Sequence, residues 1–109
     1  MKKITLISAA IILVNTSIAQ TLQEAITKTE NERYQSAASD FRTLISKEAT
    51  KGDNYFYYGE NFFKNGDLDS ANMFYQKGVD LNATYPLNYV GLGKILWSKS
   101  KTAEAKSPF

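Results

Sequence analysis

The chain has 109 residues, 43% hydrophobic and 22% charged, a balance that fits one small folded domain and is too apolar for a disordered tail. Thirteen Lys and Arg face eleven Asp and Glu, and a net charge of +2 lacks the basic footprint of a nucleic-acid binder. With no His and no Cys, disulfides, the usual zinc ligand sets, thiol catalysis and imidazole-based acid–base schemes are excluded.

Residues 1–19 read as a secretory signal peptide. Lys2 and Lys3 precede an apolar run from Ile4 to Val14, and Ser17 and Ala19 form a small-x-small cleavage site. The run is far short of the roughly 20 apolar residues that a membrane span needs. The working chain is therefore expected to start near Gln20 and to act outside the cytoplasm, in the periplasm or at an outer membrane. No Cys follows the cleavage site, so lipid attachment there is not expected. Both charges of the signal are lysines, which leaves eleven basic and eleven acidic groups and no net charge.

The rest repeats with a period of 34 residues. Ala25, Gly59 and Gly93 fall on one register, as do Ala37, Ala71 and Ala105, and Phe41, Tyr75 and Phe109. Tyr55 matches Tyr89, Tyr58 matches Leu92, and Phe62 matches Leu96. The first unit, residues 20–51, has a clear second helix through Tyr34, Ala37, Phe41, Leu44 and Ile45. Its first helix carries the charged Glu24 and Lys28, which suits a solvated end. In the middle unit, residues 52–85, Tyr55, Tyr58, Gly59 and Phe62 form a helical stripe. Asn65-Gly66-Asp67 breaks it, with Gly66 suited to a left-handed helix stop and Asp67 to capping the next start. Leu68, Ala71, Phe74, Tyr75, Gly78 and Val79 make the second stripe, to about Leu81, and Pro86 opens the next unit. In the last unit, residues 86–109, Ser100 stands where the turn glycine falls, Thr102 replaces an apolar residue, and Pro108 lies inside the expected second helix. The expectation is an incomplete array.

Gly52–Tyr85 resembles a tetratricopeptide repeat (TPR), a helix–turn–helix module of 34 residues. Tyr55, Tyr58, Gly59 and Phe62 match the aromatic, Leu, Gly and Tyr of the family's first helix. Ala71, Tyr75 and Gly78 match its second helix, and Gly66-Asp67 its turn; Ala83 holds the place of the family's terminal proline. The resemblance implies an all-α fold of stacked antiparallel helix pairs, a right-handed α-solenoid whose concave groove is lined by the first helix of each pair. It puts Asp53, Phe56, Glu60, Phe63 and Lys64 in that groove, with Leu87, Val90, Lys94 and Trp97 from the next unit. The subtype that clamps the terminal carboxylate of chaperone tails is not implied, because Leu22, Ile26, Tyr57, Leu87 and Gly91 occupy its charged and amide positions.

Other constellations carry little chemistry. Asp67-x-Asp69 lacks the Gly and Glu spacing of a calcium loop and reads as helix capping. Glu30, Glu32 and Asp40, or Asp53 and Glu60, lie among cations on polar faces, unlike the crowded carboxylates of a glycosidase. Asn82-Ala83-Thr84 reads as a loop. Lys94, Lys99, Lys101 and Lys106 form a charged helix face without interleaved arginine.

The sequence therefore predicts an exported, non-enzymatic scaffold with no catalytic residue, cofactor or metal, which binds a protein or peptide in its groove. Phe56, Phe63, Val90 and Trp97 would supply apolar contacts, and Asp53, Glu60, Lys64 and Lys94 specificity. Stacking of copies through the open last repeat is a further expectation. Two alternatives stand beside it: a helical carbohydrate- or solute-binding component of an outer-membrane uptake system, and the N-terminal repeat segment of a larger protein whose activity lies downstream.

Overall fold

The computed structural model describes residues 21–106, with side chains as far as Ala103. The signal-peptide reading of residues 1–19, and the readings that rest on side chains after Ala103, fall outside these residues. All that is described is helix and tight turn: α1 (21–30), α2 (Tyr34–Lys47), α3 (Gly52–Lys64), α4 (Leu68–Leu81) and α5 (Leu87–Lys106). The chain is all-α, and no helix among the described residues is long and apolar enough to cross a membrane.

The 34-residue period is written in the backbone hydrogen bonds. Between α1 and α2, the N–H groups of Asn31, Glu32 and Arg33 donate to the carbonyls of Thr27, Thr29 and Lys28. Between α3 and α4, those of Asn65, Gly66 and Asp67 donate to Asn61, Phe63 and Phe62, every partner shifted by 34. The ends of the second helices repeat as well, with Glu48 donating to Leu44 and Asn82 to Gly78, then Lys51 to Glu48 and Tyr85 to Asn82. Gly66 takes φ +83°, and the Asp67 carboxylate accepts a 3.1 Å bond from the Ser70 N–H. These are the helix stop and start expected from Gly66-Asp67.

Two helix hairpins result, α1–α2, joined by the Lys28–Asp40 ion pair and the packing of Ala25 with Ala37 and Phe41, and α3–α4, with α5 laid against α3 and α4. Their core is built by small residues that admit rings. Ala25, Ala37 and Ala38 surround Phe41 and Tyr58, whose rings stack at 5.5 Å; Tyr58 continues to Phe62 at 4.8 Å and Phe74 at 4.2 Å. A second cluster forms around Ala71, Tyr75 and Ile95. The Tyr75 ring lies between two glycines of neighbouring helices. A Cβ on Gly59 would come within 2.5 Å of it, and one on Gly91 within 2.4 Å. Real Cβ atoms do not approach so closely, so both positions need glycine for packing.

Here the structure departs from the expected register. Gly93, the 34-shifted counterpart of Gly59, faces open space, and Gly91 makes the contact with Tyr75. The reason is α5 itself, which runs unbroken through Ser100, where the register of Gly66 puts a turn. Ser100 carries a Cβ that opposes the left-handed conformation. The Lys and Ala residues that follow favour helix. Within the described residues no second helix folds back onto Gly93.

Candidate interaction surface

One side of the molecule carries the residues marked for binding. On α3, Asp53, Tyr57, Glu60 and Lys64 follow at helical spacing, with Phe56 and Phe63 on the flank toward α5. On α5, Leu87, Val90, Lys94, Trp97 and Lys101 form the matching stripe. Ile26, Thr29 and Glu30 of α1 meet Tyr57, Glu60 and Lys64 around a small depression of about 70 Å³. The three first helices thus contribute to one surface.

Glu60 and Lys94 occupy the same register on α3 and α5 and are each other's partner. The Lys94 ammonium donates to Glu60 Oε1 at 2.6 Å, and the Tyr75 hydroxyl donates to the same oxygen at 2.5 Å. The aliphatic stem and charge of Lys94 also cover Phe63, with Nζ 4.4 Å from the ring centroid. Burial, then the hydrogen bond and charge of Glu60, push the Tyr75 hydroxyl far above the usual tyrosine range, so it stays a donor at any physiological pH.

The four apolar groove residues divide. Phe56 and Phe63 are half-buried and pack on the Ala71–Tyr75–Ile95 cluster, Phe56 also lying against Tyr57 at 5.1 Å and Tyr85 at 6.4 Å. Val90 and Trp97 are 54% and 64% exposed. The apolar strip imagined along the groove is therefore interrupted: its α3 part serves the core and its α5 part faces outward. Trp97 bears Lys101 over its ring at 5.0 Å. Lys64 is exposed, and Asp53, at the first turn of α3, accepts from the Asn54 N–H at 2.9 Å. Among the described residues no three acidic side chains gather to hold a metal ion.

The sequence reading passed over three buried asparagines. Asn61 accepts a 2.8 Å bond from the Thr29 hydroxyl and donates at 3.0 Å to the Tyr34 carbonyl, so it fastens α1 and the start of α2 to α3. Asn88 donates to the Gly52 carbonyl at 3.0 Å, in a pocket left by the missing side chain of Gly78, and its Oδ1 has no protein partner. Asn54 reaches toward the Glu48 carbonyl. Asn54 and Asn88 are 34 apart, the one signal by which they could have been noticed. The chain was compared with protein-family models and with curated proteins, and nothing matches.

Proposed function

We propose that this chain is an exported TPR-type scaffold, without catalytic activity, that binds a protein or peptide through the surface of α1, α3 and α5. The repeat of turn hydrogen bonds at 34 residues and the small residues at the helix contacts support the family reading. The binding reading rests on one observation. Leu87, Val90 and Trp97 stand exposed in a line on α5 that is continued by charged Lys94 and Lys101. Large apolar side chains rimmed by charge are what an extended or helical peptide uses as anchor sites. The Glu60–Lys94 pair sits beside the line and fixes the position of the Lys94 charge.

Trp97 is the sole tryptophan, so its emission reports directly on the surface. Peptides selected from a displayed library should shift that emission saturably, and Val90→Ser should weaken them at least about tenfold with helicity unchanged. A chain whose Trp97 responds to saccharides and to no peptide would be the helical solute-binding protein instead. The export reading has its own measurement: N-terminal sequencing of the secreted product should begin at Gln20.

A further inference from the structure

α5 presents two faces suited to packing, well separated around the helix. One face, with Asn88, Gly91 and Ile95, is buried on α3 and α4. The other, Tyr89, Gly93 and Leu96 with Ser100 one turn further, points away from the molecule. Tyr89 and Leu96 are 50% and 71% exposed, and a Cβ on Gly93 would meet nothing within 4 Å. In the 34-residue register this stripe is the counterpart of Tyr55, Gly59 and Phe62, the stripe of α3 that α4 covers. It has the form of a helix-docking face, and no helix among the described residues covers it.

We propose that a second copy of this chain covers it, the two α5 helices packing antiparallel about a two-fold axis beside Lys94 and Ile95. The order of side chains points to this occupant. Along the stripe, bulky and small alternate as Tyr89, Gly93, Leu96, Ser100, with four-residue steps at both ends. Reversing the order sets Tyr89 over the partner's Ser100 and Gly93 under the partner's Leu96, each bulky group against a small one. A two-fold interface demands that each pairing occur twice, and this one does. A parallel pairing would set ring on ring and leave the two glycines facing a gap. Leu92 and Trp97 flank the stripe on opposite sides, and the two-fold axis sets each beside its own counterpart, Leu92 near the partner's Leu92 and Trp97 near the partner's Trp97.

The area agrees with a modest dimer. From their exposed fractions, Tyr89, Leu96 and Trp97, which stands at the border between this stripe and the peptide-facing line of Leu87 and Val90, leave roughly 400 Å² per copy, using typical side-chain areas. The stems of Lys99 and Lys101 beside them bring the total to the lower edge of specific interfaces, about 600 Å² per partner. Interfaces of this small size are those of weak and transient encounters.

Sedimentation equilibrium of the full chain across micromolar concentrations should show a monomer–dimer system. Leu96→Glu, at an exposed position, should raise the dissociation constant about 100-fold, and Gly93→Leu about tenfold, with unchanged circular dichroism. Met73→Glu, on the exposed side of α4, should leave it unchanged. The chain has no cysteine, so orientation can be read by oxidation. Tyr89→Cys and Ser100→Cys variants, mixed, should form the mixed disulfide in preference to either homodimer. A monomer at all concentrations, a dimer indifferent to Leu96→Glu, or preferred like-with-like disulfides would overturn the proposal.

Discussion

Glu32 and Gly66, 34 positions apart, hold the same left-handed backbone at the same point of equivalent turns, with φ of +62° and +83°. The hydrogen bonds around them match one for one. Only Gly66 adopts that conformation without a steric cost, and only Asp67 follows it with a side-chain cap; Arg33 has none. Carrying the better turn to the first hairpin should therefore stabilise the protein. Glu32→Gly is expected to add about 1 kcal/mol by relief of the left-handed strain. Arg33→Asp should add roughly 1 kcal/mol as a cap. Gly66→Ala should cost about 1 kcal/mol. Urea midpoints at unchanged slope measure all three.

Three glycines of α3 and α5 should respond to alanine in opposite senses. The Tyr75 ring is wedged between Gly59 and Gly91, and its hydroxyl is held by Glu60, so it cannot swing aside. Gly59→Ala and Gly91→Ala should each destabilise by about 2 kcal/mol. Gly93→Ala meets no atom and removes backbone freedom from the unfolded chain, so it should stabilise by roughly 0.5–1 kcal/mol. Measurement at concentrations too low for association isolates the folding term. A uniform response of the three would contradict the packing described.

Asn61 joins three elements through two side-chain bonds. Asn61→Ala removes both bonds, while the Thr29 hydroxyl keeps its 3.2 Å bond to the Ala25 carbonyl, at a cost of about 1 kcal/mol. Hydrogen exchange should localise the damage: amides of α1 lose protection while those of α4 and α5 keep theirs.

Acid should remove the contribution of Asp67. Hydrogen bonds from Ser70, through its side chain and its backbone N–H, hold the carboxyl below the usual range. A depressed folded value means stability that is present above the unfolded value, about 4, and is lost as pH falls through the folded one. The wild type should therefore exceed Asp67→Asn in urea midpoint at pH 7. The gap should close as pH falls below about 4, so that the two curves converge.

Residue types and spacing carried much of this architecture by themselves. The period of 34, the helical stripes, the Gly66-Asp67 turn and the buried rings at 41, 58 and 75 were legible because each is a local or periodic property. The Glu32 turn was not, since no glycine or cap marks it and the hydrogen bonds of its neighbours impose the conformation. The asparagines were not legible either, because a polar residue on a helical stripe shows its use only when its partners are in place.

What only tertiary structure decided is which side chains are spent inside. Glu60 and Lys94 look like two free charges in a sequence, yet they stand 2.6 Å apart because α3 and α5 are neighbours. Phe56 and Val90 share a register, but Phe56 meets the Tyr75 ring at 6.0 Å while Val90 remains exposed. Periodicity assigns a residue to a face of its helix. Whether that face is covered depends on a neighbouring helix, and around Gly93 the unbroken course of α5 leaves it open.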